Sequence, residues 1–165
     1  MKLLTGTPLP VQAWYGLPAE ITVENGLWHL VRVGGVALSH PPVVNLILRR
    51  GLPEADRLHL SFLHEFGHLQ TLPVALAHAL LLFSLRPKRR RGPARVMKTL
   101  AAAFLAHEAV WELASELYVV ANTGEEYRQI YRKHPNPGGQ LVFWIGMGFL
   151  ATVCTLGVLR RNQTT

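Results

Sequence analysis

The chain has 165 residues, of which 49% are hydrophobic and only 16% are charged, a low charged fraction for a soluble globular domain. Its single cysteine, Cys154, excludes an intramolecular disulfide and any zinc site built from cysteines. Much of the net charge of +7 lies in a short basic stretch, residues 86–95, which has no interleaved aromatic side chains and therefore does not predict a nucleic-acid surface. A basic loop between apolar segments is instead typical of the cytoplasmic side of a membrane protein.

The N-terminal third predicts an irregular arm followed by a small antiparallel sheet. Residues 1–18 are interrupted by proline and glycine and are expected to lack regular structure. Residues 19–39 alternate apolar and polar side chains around the dipeptides Asn25-Gly26 and Gly34-Gly35, which is the pattern of β-hairpins. We therefore expect three short strands, with residues 36–39 at an exposed edge where an extended peptide could pair.

The central feature of the sequence is His64-Glu65-Phe66-Gly67-His68, an H-E-x-x-H motif. Pro53 and the acidic Glu54 predict a helix that begins shortly before it. On that helix His64 and His68 lie on one face, one turn apart, where two imidazoles can bind one metal ion. Glu65 can then reach a water molecule on the metal and act as a general base. The alternative is a pair of ordinary core histidines, but idle ionisable groups in an apolar run are energetically costly.

Three hydrophobic segments follow the start of the motif helix. The first, residues 72–85, is short for a membrane span on its own. Joined to the motif helix as residues 60–85, it would be about 39 Å long, although Pro73 could kink or restart the helix. The second covers residues 96–121, and the third, residues 141–159, contains no charged residue. We therefore expect about three membrane helices, with a polar loop at 122–140 between the last two.

The third metal ligand is expected on the second hydrophobic segment, because carboxylates inside a membrane helix are functional candidates. Counting helical rise from the basic loop places His68 about 26 Å and Glu112 about 24 Å along an antiparallel hairpin. His64 and Glu116 are level in the same way, at about 32 and 30 Å, whereas Glu108 lies about one turn lower. Glu112 is therefore the predicted third ligand. Glu116 is predicted to accept the second ring N–H of a histidine, with His64 the better placed.

With these positions assigned, the sequence resembles the gluzincin zinc metallopeptidases. His64-Glu65-x-x-His68 followed by Glu112-x-x-Ser115-Glu116 is similar to their H-E-x-x-H motif, later glutamate ligand and acidic residue four positions beyond it. Within that group it most resembles the membrane-embedded CAAX-protease/HtpX-like and BlaR-type peptidases and the compact minigluzincins, over about residues 36–118. Ser115 and Glu116 stand where alanine and aspartate are usual in that family. The resemblance implies a small sheet before the motif helix, a Zn²⁺ cofactor and a peptide or protein substrate.

The sequence thus predicts an α+β protein, with a small antiparallel N-terminal sheet followed by a membrane-embedded helical bundle that carries a zincin-like site. The expected divisions are an arm and sheet at 1–57, a hairpin of the motif and ligand helices at 58–121, and a polar loop with a transmembrane helix at 122–165. The predicted function is a zinc metalloendopeptidase of the cell membrane, with multiple membrane passes, in which Glu65 activates a zinc-bound water. The expected partners are a peptide substrate and the lipid bilayer, and no nucleic acid.

Several alternatives can be compared with this hypothesis. A site-2-type intramembrane protease needs an aspartate ligand after the motif, but Asp56 is the only aspartate and precedes it. A di-iron site needs a second Glu-x-x-His, and the chain contains only one. A non-catalytic metal-binding or scaffold protein would keep the same ligands, and the apolar helices could form a soluble core. Four side chains remain open as oxyanion donors: His107, Tyr127, Arg128 and His134.

Overall fold

The computed structural model describes residues 7–24, 28–38, 43–84 and 92–163. It confirms the α+β prediction, with a four-stranded antiparallel sheet near the N-terminus and helices in most of the described remainder. The strands are β1 (Leu9–Gln12), β2 (Pro18–Glu24), β3 (Trp28–Val33) and β4 (Val36–Ala37). The helices are α1 (Val43–Ile47), α2 (Glu54–Ser84), α3 (Pro93–Thr123), α4 (Glu125–Lys133), α5 (Pro137–Leu141) and α6 (Met147–Gln163), with a π-helical turn at Val142–Gly146.

The four strands form a simple meander in the order β1-β2-β3-β4. Ile21 of β2 pairs with Leu9 on one side and with Val31 on the other, and the side chains of Ile21 and Val31 are buried. β4 lies at one edge of the sheet, and both Val36 and Ala37 are exposed. An edge strand at this position agrees with the sequence prediction.

The predicted turn at Gly34-Gly35 is present between β3 and β4. The two glycines have φ angles of +56° and +80°, which suit a two-residue turn between antiparallel strands. The predicted turn at Asn25-Gly26 and the predicted edge residue Ser39 lie outside the described residues.

Strand β1 differs from the prediction that residues 1–18 would be irregular. Its side chains alternate between half-buried and exposed positions along its pairing with β2. Pro10 is compatible with this strand because β1 is at the edge of the sheet, where a missing N–H removes no bond from the sheet interior. The arm predicted for residues 1–6 lies outside the described part of the chain.

Helix α2 carries the motif and extends well beyond it. It begins at Glu54, immediately after Pro53, and Glu54 and Asp56 lie in its first turn, where acidic side chains interact favourably with the helix dipole. The helix continues through Pro73 to Ser84. The motif helix and the first hydrophobic segment are therefore one helix of 31 residues.

Helix α2 positions the motif because it is packed on two sides. Leu69 lies in an apolar cluster with Ile21 and Val31 of the sheet. Leu60 lies in a second cluster with Leu48, which follows α1, and with Val119 of α3. The motif is therefore held between the sheet and the helical core.

Residues 122–140, predicted to be a polar loop, contain helix α4 and the start of α5. Tyr127, Ile130 and Tyr131 have the i, i+3, i+4 spacing of one helical face, and all three are buried in the helical core. The loop prediction was wrong because the proline and glycine residues are concentrated after α4, whereas Glu125–Lys133 is amphipathic.

The C-terminal helical segment runs antiparallel to α3. Near its start Phe143 shares a cluster with Val119, and near its end Val158 shares a cluster with Ala106. Glu112 lies about midway between Ala106 and Val119 on α3. The middle of the C-terminal segment is therefore about level with Glu112.

Among the described helices, two are long and apolar enough to cross a membrane, Glu54–Ser84 and Pro137–Arg160. The expected number was about three, and α3 does not qualify because Glu108, Glu112 and Glu116 lower its hydropathy. The first half of α3 still exposes large apolar side chains. These are Val96, Met97, Leu100, Phe104 and Leu105.

Candidate metal centre

Helix α2 brings the two motif histidines together at a buried position. The ring centroids of His64 and His68 are 4.7 Å apart and the rings are nearly perpendicular. The two residues are only 3% and 1% exposed. This is the arrangement that the i, i+4 spacing predicts for one helical face.

Helix α3 places Glu112 opposite the two histidines. Its Oε2 is 3.1 Å from His64 Nε2, and its Oε1 is 3.6 Å from His68 Nε2. One ligand atom from each of the three residues lies within 4.8 Å of the other two. The buried His64–His68–Glu112 group could therefore hold a metal ion, with two imidazole nitrogens and one carboxylate oxygen as donors.

Glu116 lies behind His64, as helical counting predicted. His64 Nδ1 is 2.8 Å from Glu116 Oε2 and donates its proton to that carboxylate. The same ring then directs Nε2 towards Glu112 and the metal position. A carboxylate in this position fixes the tautomer and orientation of a metal-binding histidine.

Ser115 supports His68 in the corresponding way, a role that sequence reasoning missed. Ser115 Oγ donates to the Trp111 carbonyl oxygen at 2.9 Å, so it can accept a proton from His68 Nδ1, which lies 2.8 Å away. Nε2 of His68 is thereby left to face Glu112. In the sequence, Ser115 was noted only as a departure from the family pattern. Its position between Glu112 and Glu116 on one helix could have suggested the contact with His68.

Gly67, inside the motif, allows α3 to lie close against α2. A Cβ atom at this position would be 2.7 Å from the Ser115 carbonyl oxygen and 3.1 Å from its Cα. Backbone atoms cannot move away as a flexible side chain can. Glycine at this position therefore permits the contact that brings Ser115 and its neighbours to the histidines.

Arg49 is the second contributor that sequence reasoning missed. It follows α1, is fully buried, and its Nη2 donates to Glu116 Oε2 at 2.6 Å. Burial alone would lower the pKa of the guanidinium, but Glu116 together with Tyr131 and Tyr127 outweighs burial, and the pKa is raised. The sequence signal for this role was a basic residue placed directly after the largely apolar residues 43–48. Its partner, Glu116, could not be paired with it because it lies 67 residues later in the chain.

Tyr127 reaches the same carboxylate from α4. Its hydroxyl donates to Glu116 Oε1 at 3.1 Å, so both oxygens of Glu116 have donors. Burial and, to a smaller extent, the nearby Glu116 carboxylate raise the pKa of the Tyr127 phenol well above its usual value. Tyr127 was a candidate oxyanion donor, but this structure places its hydroxyl on Glu116.

Glu65 has an unusual environment for a carboxylate. It is 9% exposed, and among the described residues its Oε2 has no hydrogen-bond partner. Such an oxygen is costly to bury unless a ligand or a solvent molecule meets it. The buried charges of the site also do not cancel. When ionised, three carboxylates and one guanidinium leave a net charge of −2, which one divalent cation would neutralise; these groups belong to Glu65, Glu112, Glu116 and Arg49.

The remaining sequence candidates lie outside the His64–His68–Glu112 group. His107 stacks on His78 with ring centroids 6.1 Å apart and is tilted against Trp111. His134 Nε2 lies 3.9 Å from a carboxylate oxygen of Asp56. Arg128 Nη1 lies 3.7 Å from Glu125 Oε2, and Glu108 is likewise not part of the group.

Comparisons of this chain with models of protein families, with curated proteins and with solved structures gave no match. The chemistry of the site is defined by its own residues. Two imidazoles and one carboxylate form a donor set that could hold a metal ion, and Glu65 next to them has a carboxylate oxygen without a hydrogen-bond partner among the described residues.

Proposed function

We propose that this protein is a membrane-bound, zinc-dependent metalloendopeptidase. The observation that supports it most strongly is the position of Glu65. Its buried Oε2 has no partner among the described residues, and Glu65 lies beside three side chains that could hold one metal ion. A structural metal site needs ligands, but it does not need an additional buried carboxylate of this kind.

Zinc is the proposed metal because of the donors that the chain supplies. Two histidine nitrogens and one glutamate oxygen are a common set in catalytic zinc sites. Both histidines present Nε2 to the metal position because their Nδ1 atoms are engaged by Glu116 and Ser115. When bound, the cation would polarise a peptide carbonyl and lower the pKa of the attacking water.

Glu65 acts as the general base in the proposed reaction. Its carboxylate accepts a proton from the water that attacks the peptide carbonyl carbon. It then donates this proton to the nitrogen of the departing amine as the C–N bond breaks. Meanwhile Glu116 and Ser115 hold the two imidazoles in orientation and take no direct part in the bond changes.

The substrate is proposed to bind as an extended peptide alongside strand β4. Val36 and Ala37 are exposed at the edge of the sheet, where main-chain groups can pair with an added strand. The sheet is fixed to the motif helix because Val33 and Leu38 pack in one cluster with Phe62 and Phe66. A peptide on this edge would therefore have a constant position relative to the motif.

The lipid bilayer is proposed as the surroundings of the apolar helices. Two described helices are long and apolar enough to span a membrane, and the first half of α3 adds an exposed apolar face beside them. Along the C-terminal segment, exposed side chains from Leu141 to Leu156 extend on both sides of the level of Glu112. We therefore propose that the metal centre lies within the depth of the apolar surface.

The test is a comparison of Glu65→Gln with wild type and with Glu108→Gln, which changes a carboxylate of α3 outside the site. Purified protein in detergent is assayed for bound zinc and for hydrolysis of a quenched fluorescent peptide library. We expect one zinc per chain in all three proteins and a loss of about 10²–10⁴-fold in kcat for Glu65→Gln alone.

Two outcomes would contradict the proposal. If Glu65→Gln retains the wild-type kcat, Glu65 is not the base. If wild type binds zinc but cleaves neither the peptide library nor detergent-solubilised membrane proteins, the chain is better described as a metal-binding scaffold.

A further inference from the structure

The hydrogen bonds around Glu116 connect the metal centre to a part of the chain that precedes the motif. Glu116 Oε2 accepts from His64 Nδ1 at 2.8 Å and from Arg49 Nη2 at 2.6 Å. Arg49 and Glu116 are both fully buried. One carboxylate oxygen thus joins a metal-ligand candidate to a buried guanidinium.

We propose that Arg49 is a positioning residue of the metal centre, which acts through Glu116 to hold His64 in its metal-binding orientation. This inference rests on the proposed function only in that the site is taken to bind zinc. Peptide hydrolysis is not needed to test it.

The carboxylate of Glu116 is held at more than one point. A glutamate side chain has three rotatable bonds, so a carboxylate held at one point can turn away from the histidine that it supports. Here three donors from three elements hold it: His64 of α2, Arg49 after α1 and Tyr127 of α4. Because Arg49 and Tyr127 bind different oxygens, the plane of the carboxylate is fixed.

Charge also couples Arg49 to the site. His64 lies between two carboxylates, with Glu112 3.1 Å from one ring nitrogen and Glu116 2.8 Å from the other. Two buried carboxylates on either side of one ring repel each other, and the guanidinium of Arg49 compensates the outer one. Without Arg49, Glu116 would lose its buried cationic partner, and its carboxylate would be free to move away from His64.

The segment carrying Arg49 is itself fixed in place. Asn136, at the start of α5, donates from Nδ2 to the carbonyl oxygens of Ile47 and Arg50, at 3.1 and 3.2 Å. Its Oδ1 accepts from the Gly139 N–H at 3.1 Å, which caps α5. The backbone on both sides of Arg49 is therefore held by a residue 86–89 positions away in sequence.

The test measures zinc affinity by competition with a chelator and the visible spectrum of the Co²⁺-substituted protein. The variants are Arg49→Gln, Arg49→Lys and, as a matched control, Arg50→Gln, whose side chain is exposed. We expect Arg49→Gln to lower zinc affinity by about 10–100-fold and to shift the Co²⁺ spectrum, as loss of an outer partner of a metal ligand does. Arg49→Lys keeps the charge and should be intermediate, and Arg50→Gln should match wild type.

Each other outcome has a defined meaning. If Arg49→Gln folds and keeps wild-type zinc affinity and Co²⁺ spectrum, the inference is wrong. If Arg49→Gln does not fold, Arg49→Lys, which keeps the buried positive charge but not the planar guanidinium, is measured instead. Weakened zinc binding and a shifted Co²⁺ spectrum in folded Arg49→Lys support the inference, whereas wild-type values contradict it. Failure of both variants to fold also contradicts it, because Arg49 would then act on the fold.

The same experiment separates this inference from the proposed function. A wild-type protein that binds no zinc refutes the proposed function and the role of Arg49 together. If the wild-type protein binds zinc and Arg49→Gln binds it equally well, only the role of Arg49 is refuted.

Discussion

The α2–α3 hairpin has two halves with very different chemistry. Around the candidate metal ligands, polar side chains such as His68, Glu112 and Ser115 are at most 6% exposed and have hydrogen-bond or ion-pair partners. Towards the end of α2 and the start of α3, the same two helices expose large apolar side chains, among them Leu80 (68%) and Phe104 (63%).

This difference shows which part of the hairpin depends on the identity of single residues. A buried polar group is tolerated only when its partners are present with good geometry, so each member of the polar half depends on the others. Contacts with lipid require only apolar side chains and specify little else. Substitutions in the two halves should therefore differ sharply in their effect on zinc binding.

The largest effect is expected for Glu112→Ala in the polar half. This substitution removes one of three protein ligands, so zinc affinity should fall by more than the roughly 100-fold that loss of an outer partner causes. Glu108→Ala, one turn away on the same helix, is the control and should leave zinc affinity unchanged. Equal zinc affinity of the two variants, measured by chelator competition, would show that Glu112 is not a ligand.

A smaller effect is expected for Gly67→Ala, which tests the close contact of the two helices. The new Cβ would be 2.7 Å from the Ser115 carbonyl oxygen, so α3 has to move away from α2. Overpacking of this kind costs about 1–3 kcal/mol of stability, and zinc affinity should fall as Ser115 leaves His68.

The matched control for Gly67→Ala is Gly148→Ala in α6, where an added Cβ meets nothing within 4 Å. Alanine is favoured over glycine within a helix by up to about 1 kcal/mol, so this variant should be neutral or slightly stabilised. Thermal unfolding of both variants in detergent measures the comparison. A Gly67→Ala protein as stable as wild type would show that the helices do not need glycine at this contact.

The sequence was sufficient to predict the inner part of the site. The i, i+4 spacing places His64 and His68 on one face, and the constant rise of a helix allows Glu112 and Glu116 to be matched to them in depth. This procedure succeeded because α2 is one continuous helix that passes through Pro73, so the residue count from the connecting loop was valid.

The outer part of the site could not be predicted in this way. Arg49 reaches Glu116 across 67 residues, from the short segment between α1 and α2. Ser115 could equally have formed only a local bond to Trp111, as serine commonly does in helices, and the second contact to His68 depends on the packing of α3 against α2. Both contacts come from tertiary structure, which a single sequence does not contain.

The apolar half of the hairpin is tested by labelling, and here no effect on zinc binding is expected. Cys154, the only cysteine, is first replaced by alanine, and then Phe104→Cys in α3 is compared with Val36→Cys in β4. Both positions are exposed, at 63% and 66%. If Phe104 faces lipid, a water-soluble maleimide should label Phe104→Cys at least about tenfold more slowly in intact membranes, because its reaction needs a hydrated thiolate. Equal labelling rates would mean that this half faces water and that the apolar helices form the core of a soluble protein.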